Sequence, residues 1–117
     1  MDLQDQAIEF RHAYGVINSD ELNEMQIRLI REEYAELRDA HYDKEISDAD
    51  TLKELADLVY VAFQYAENRE WDLLTALDRV HKSNMSKLGD DGKPIRRPDG
   101  KVLKGPNYQP PVLIDLV

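Results

Sequence analysis

All five prolines and four of the five glycines of this 117-residue chain lie after Arg79. Inside a helix, proline costs about 3 kcal/mol and glycine about 1 kcal/mol relative to alanine. The front of the chain therefore carries almost no helix breakers, and the tail collects them. Charge divides at the same place. Residues 1–78 hold 7 basic and 20 acidic side chains, a net −13, whereas residues 79–117 hold 8 basic and 4 acidic, a net +4. The expectation is an acidic helical domain over residues 1–88. A basic, turn-rich extension over residues 89–117 follows and is expected to pack on that domain.

Composition removes several classes of function. There is no cysteine, hence no disulfide framework, thiolate metal site or cysteine nucleophile. The overall charge of −9 argues against a nucleic-acid polymer as partner, because phosphate backbones need a basic surface. A hydrophobic share of 42% is too high for a disordered acidic tail. No apolar run approaches the ~20 residues that span a bilayer. The opening Met1–Asp5 lacks the basic-then-apolar layout of a secretory signal. A soluble, cytoplasmic protein with no membrane partner is expected.

The front reads as helices. Leu3, Ala7, Ile8, Phe10 and Tyr14 approximate helical spacing, and Gly15 stops the run. Ser19 or Asp20 is placed to cap a second helix over about Glu21–Tyr42. Ser47, Asp48 or Asp50 is placed to cap a third, ending near Asn68. Glu70-Trp71-Asp72 is read as opening a fourth, which ends near Leu88 with Gly89 as its stop. In the tail, Asp91-Gly92 and Pro98-Asp99-Gly100 mark turns. Ile95-Arg96-Arg97 and Lys101-Val102-Leu103 are candidate strands of one short hairpin. The fold class is all-α: a four-helix bundle-like subunit with an irregular C-terminal tail.

The acids on the second and third helices carry the functional argument. At ~100° per residue, Leu22, Met25, Leu29 and Leu37 form one stripe on the second helix. Glu33 and Glu36 fall inside that stripe, and Glu32 falls at its edge. On the third helix, Leu52, Leu55, Ala56, Val59, Phe63 and Ala66 make one apolar face. Glu54 and Asp57 lie on a second, flanked by Leu58, Val61 and Tyr65. A buried, unpaired carboxylate costs several kcal/mol, so these positions call for a cation. Glu33/Glu36 and Glu54/Asp57 are both i, i+3 pairs, and antiparallel neighbouring helices would bring all four together. Oxygen-only donor sets favour hard cations such as Mg²⁺ or Mn²⁺. A di-iron bundle would require Glu-x-x-His, and the three histidines, His12, His41 and His81, share no ligand spacing. Carboxylate-bound Mg²⁺ generally works on phosphates, and the basic tail would meet their charge.

Glu32-Glu33-x-x-Glu36, a gap of 17 residues, then Glu54-x-x-Asp57 resembles the signature of the MazG-like, all-α nucleoside triphosphate pyrophosphohydrolases. Their relatives include phosphoribosyl-ATP pyrophosphohydrolase and the dimeric dUTPases. Glu9-Phe10-Arg11-His12-Ala13-Tyr14-Gly15 resembles the first helix of the short phosphoribosyl-ATP pyrophosphohydrolase-like members of bacteria and phages. In those members a histidine follows the phenylalanine directly; here Arg11 stands there and His12 is one place on. Val80–Gly89 resembles their fourth-helix segment. Asp91–Ile95 and Asp99–Tyr108 resemble their tail.

The resemblance implies hydrolysis of a (d)NTP between the α- and β-phosphorus, giving (d)NMP and pyrophosphate, with a lean toward dGTP or GTP. It implies Glu33, Glu36, Glu54 and Asp57 as ligands of Mg²⁺, or Mn²⁺ in its place, with two or three ions per site when substrate is bound. Glu32 would orient or deprotonate the attacking water. Asn84 and Lys87 would meet phosphate or sugar, with Lys82, Arg96, Arg97 and Lys104 as further phosphate contacts. His12 and Tyr14 are the candidates for the base. A homodimer or homotetramer in the cytoplasm, or in a host's cytoplasm for a phage protein, is implied. Two other readings stand beside it: an enzyme specific for phosphoribosyl-ATP or dUTP, and a non-catalytic helical dimerisation or adaptor module.

Overall fold

The computed structural model describes residues 1–117. The chain forms helices α1 (Leu3–Ala13), α2 (Glu21–Tyr42), α3 (Asp48–Asn68) and α4 (Leu73–Met85). A two-stranded hairpin, β1 (Ile95–Arg96) and β2 (Val102–Leu103), and a terminal 3₁₀ turn (Ile114–Leu116) follow. The expected all-α class is what these elements make. They form two compact units, Met1–Asp72 and Leu73–Val117.

In the first unit, α3 packs against both α1 and α2. α1 begins in a reciprocal cap: Asp5 N–H donates to Asp2 Oδ1 at 2.7 Å and Asp2 N–H to Asp5 Oδ2 at 3.2 Å. It ends where expected, at Gly15, whose φ of 65° is open to glycine at little cost. Of the three candidate caps of α3, Ser47 is the one used, with Asp50 N–H donating to Ser47 Oγ at 3.1 Å. α2 departs from expectation, because Asp20 is itself helical and its side chain makes no capping bond. The entrance to α2 is instead secured from α3. Asn68 Nδ2 donates to the Ser19 carbonyl at 2.8 Å, and Ser19 N–H donates to Asn68 Oδ1 at 3.2 Å.

The fourth helix also differs. Glu70 and Trp71 close α3 rather than open α4. Glu70 sits in the left-handed region at φ 58°, and Trp71 N–H donates back to the Ala66 carbonyl at 2.9 Å. That geometry satisfies carbonyls which a helix C-terminus leaves open. α4 therefore starts at Leu73 and runs to Met85, short of Leu88.

The apolar core of the first unit is thin: Ala7, Phe63 and Ala66 are its buried apolar residues. Arg11, Gln26, Gln64 and Asn68 are buried beside them. α3 is buried along its C-terminal half, at Phe63, Gln64, Ala66 and Asn68. In its N-terminal half, Leu52 (65% exposed), Leu55 and Val59 face outward.

In the second unit the tail lies along α4. Arg79 donates to Val112 O at 2.9 Å and pairs through both guanidinium nitrogens with Asp115, at 2.6 and 3.0 Å. Ser83 Oγ, buried, donates to Gln109 O at 2.7 Å, and Gln109 N–H donates to Ser86 Oγ at 3.0 Å. The hairpin forms as expected, with Ile95 opposite Leu103 and Arg96 opposite Val102. Gly105 N–H donates to the Lys87 carbonyl at 2.8 Å. A Cβ at position 105 would sit 2.4 Å from the Leu88 carbonyl oxygen, so the crossing needs glycine.

Candidate metal centre

The four carboxylates singled out by spacing converge. One oxygen each from Glu33, Glu36, Glu54 and Asp57 lies within 4.8 Å of the others. The i, i+3 pairs on α2 and α3 face each other because the two helices pack along their length. Glu33, Glu54 and Asp57 are half-buried, while Glu36 is exposed. Glu36 thus lies less deep than its place in the apolar stripe implies. It lines an open cleft of about 560 Å³ together with Asp39, Asp43, Asp50, Lys53 and Glu54.

The donor set fits a hard cation. Glu33 Oε2 and Glu54 Oε2 are buried, and neither has a hydrogen-bond partner. Buried acceptors normally find an N–H, an O–H or water, and an orphan calls for an explanation such as an ion. Burial, then the neighbouring Glu36 carboxylate, push the Glu54 carboxyl above its ordinary range, and the Lys53 ammonium offsets part of this. Lys53 is the cation that spacing did not single out. Its Nζ lies 2.9 Å from Asp57 Oδ2. The bond to Asp57 first, then the charges of Asp57, Glu54 and Glu36, raise the lysine above its usual value. Its signal was present in the sequence as a basic residue four places before Asp57.

A family comparison meets this geometry directly. The sequence model of phosphoribosyl-ATP pyrophosphohydrolase matches residues 12–84, which include all four acids. The chain belongs to the phosphoribosyl-ATP pyrophosphohydrolase family. It is thereby a MazG-like pyrophosphohydrolase, a hydrolase acting on acid anhydrides, in a family that typically depends on metal. No curated protein matches the chain significantly.

The other residues expected from family likeness are placed as follows. Glu32 is exposed and stands outside the four-acid cluster. His12 and Tyr14 are both exposed but line separate clefts. Tyr14 stacks on Phe10 at 4.6 Å, and Phe10 meets Tyr60 edge-on at 5.7 Å. Arg11, where the resemblance led a histidine to be expected, is buried. It donates to Asn18 at 3.0 Å, to Gln64 at 3.3 Å and to Asn68 at 2.8 Å. Desolvation lowers its pKa, with Glu67 acting in the opposite direction. In the second unit, Asn84 is exposed and Lys87 half-buried. Lys82 pairs with Asp78 at 2.8 Å, and Arg97 with Asp99 at 2.7 Å. Arg96 donates to Gly100 O at 3.0 Å, and the Lys104 ammonium lies 4.7 Å from the Tyr108 ring centre. No helix is long and apolar enough to cross a membrane.

Proposed function

We propose that this family member is a Mg²⁺-dependent (d)NTP pyrophosphohydrolase that releases (d)NMP and pyrophosphate. The observation that carries the reading is the cluster itself. Four carboxylate oxygens lie within 4.8 Å, and two of the same side chains carry buried oxygens with no partner. Glu33, Glu36, Glu54 and Asp57 hold two or three Mg²⁺ ions with substrate, and Mn²⁺ can substitute. When bound, the cations offset charge that develops on the phosphates in the transition state.

The protein's own groups do the rest. Glu32 orients the attacking water and takes its proton. The water oxygen bonds to the α-phosphorus, the α–β anhydride bond breaks, and pyrophosphate leaves with that bond's electrons. Asn84, in the last turn of α4, and Lys87, two residues past its end, hold phosphate or sugar, and Lys82, Arg96, Arg97 and Lys104 assist. His12 and Tyr14 line separate clefts, and one of the two faces the base, for which a guanine nucleotide is our choice. Residues 1–88 form the catalytic part, with 89–117 as its extension. The exposed Leu52, Leu55 and Val59 support a homodimer or homotetramer, since pairing would cover them. The protein works in a cytoplasm. A second reading, phosphoribosyl-ATP as substrate, draws on the name of the matched family.

The test incubates the purified chain with each (d)NTP and with phosphoribosyl-ATP in Mg²⁺, and identifies products by chromatography. Monophosphate and pyrophosphate from a (d)NTP support the proposal. Turnover of phosphoribosyl-ATP alone selects the second reading. Diphosphate and orthophosphate overturn α–β cleavage, and no turnover of any nucleotide returns the chain to the adaptor reading.

A further inference from the structure

Lys53 has no place in the mechanism above, yet it lies against one of the four acids. Its Nζ is 2.9 Å from Asp57 Oδ2. It is also the one basic residue lining the cleft that Glu36, Asp39, Asp43, Asp50 and Glu54 make acidic. On an ordinary helix surface, a lysine four residues from an acid makes only a weak, solvent-screened pair. Here the acid belongs to a converging set of four, so the ammonium neutralises part of a shared negative charge. Lysine suits that task, because a compact charge on a flexible stem can withdraw, whereas an arginine fork binds carboxylate in a fixed bidentate geometry.

We propose that Lys53 is the resident counter-ion of this centre and competes with the divalent cation for Asp57, so that metal loads best together with the phosphates of the substrate. The inference rests on the metal-centre reading above. A cation on Asp57 and the Lys53 ammonium repel each other while the site holds no other anion. Substrate phosphates supply negative charge that lets both remain. Lys53 is a positioning residue in this scheme and touches no reacting atom.

The experiment titrates the full-length protein with Mn²⁺ by calorimetry, first without nucleotide and then with a non-hydrolysable triphosphate analogue. Lys53→Met is expected to bind Mn²⁺ roughly three- to tenfold more tightly than wild type without nucleotide. Lys53→Arg keeps the charge and withdraws less readily, so it is expected to bind Mn²⁺ no more tightly than wild type. Lys44→Met, the same change of charge in the exposed loop after α2, is expected to shift affinity by less than about twofold. The analogue is expected to tighten Mn²⁺ binding more in wild type than in Lys53→Met. Equal affinities for Lys53→Met and Lys44→Met overturn the counter-ion role. Equal tightening by the analogue overturns the loading role. If neither wild type nor Lys53→Met binds Mn²⁺, the metal centre falls, and this inference with it.

Discussion

Arg11 donates to Asn68 Oδ1 at 2.8 Å, joining the last turn of α1 to the last residue of α3 across 57 positions of chain. Asn68 uses both ends of its amide. Its oxygen also accepts from Ser19 N–H, and its nitrogen donates to Ser19 O and to Asn23 Oδ1. One side chain thus serves a buried cation and the entrance to α2.

Asn68→Ala is expected to cost on the order of 3 kcal/mol, because it strands a buried guanidinium N–H and the backbone of Ser19 at once. Urea denaturation followed by circular dichroism measures it. A loss under about 0.5 kcal/mol would show that solvent replaces Asn68 without penalty.

Glu54 makes stability depend on pH in a definite direction. Its carboxyl is raised in the folded protein, chiefly by burial and then by Glu36, so the fold holds that proton more tightly than the unfolded chain. Its contribution is fully present below the ordinary glutamate value of about 4.3 and is lost as pH rises through the raised folded value. In EDTA at neutral pH, Glu54→Gln is expected to melt above wild type. The gap is expected to close as pH falls through that range. Thermal melts from pH 4 to 8 test this, and a gap that widens on acidification would contradict it.

Glu36→Gln is expected to keep the fold and reduce nucleotide hydrolysis by about a hundredfold or more, since it removes one metal charge with little change of shape. Circular dichroism and the product assay together decide. Full activity in a folded variant removes Glu36 from the centre.

The Arg79–Asp115 pair ties the C-terminal turn to α4. The arginine hydrogen bond, first among the causes, holds the Asp115 carboxyl below its ordinary range. Its contribution is present above the unfolded value of about 3.9 and is lost as pH falls through the depressed folded value. Asp115→Asn is expected to speed carboxypeptidase removal of the last residues at neutral pH. The pair is exposed, so the global melting temperature is expected to move little. Unchanged digestion would mean that Val112 O and Gln109 hold the segment alone.

Much of this architecture was legible from residue order. The bounds of α2, the stop at Gly15, Ser47 as one of three candidate caps, and the existence of the hairpin each follow from a local signal of a few residues. So does the four-acid cluster, because i, i+3 pairs on neighbouring helices need only one helix-helix contact to meet. The Arg11 network was not legible. Periodicity assigns polar residues to the surface, and Arg11, Gln64 and Asn68 are buried because they satisfy one another at sequence separations of 53 and 57. Glu70 misled for a related reason. A charged residue after a helix reads as the start of the next, yet here it takes the left-handed conformation that glycine usually supplies. Lys53 was readable as a neighbour of Asp57, but its weight depends on the three other carboxylates around that residue.

Gly105 bears on how the tail can vary. Every amino-acid change reachable from a glycine codon by one base adds at least a Cβ. That atom would meet two backbone carbonyl oxygens, at 2.4 Å from Leu88 and 2.7 Å from Lys87, and backbone cannot swing aside as a side chain can. The position therefore has no mild neighbour in the genetic code. A saturation library of residues 89–117 should show a gap there, beside an exposed position, Pro106, that accepts many substitutions.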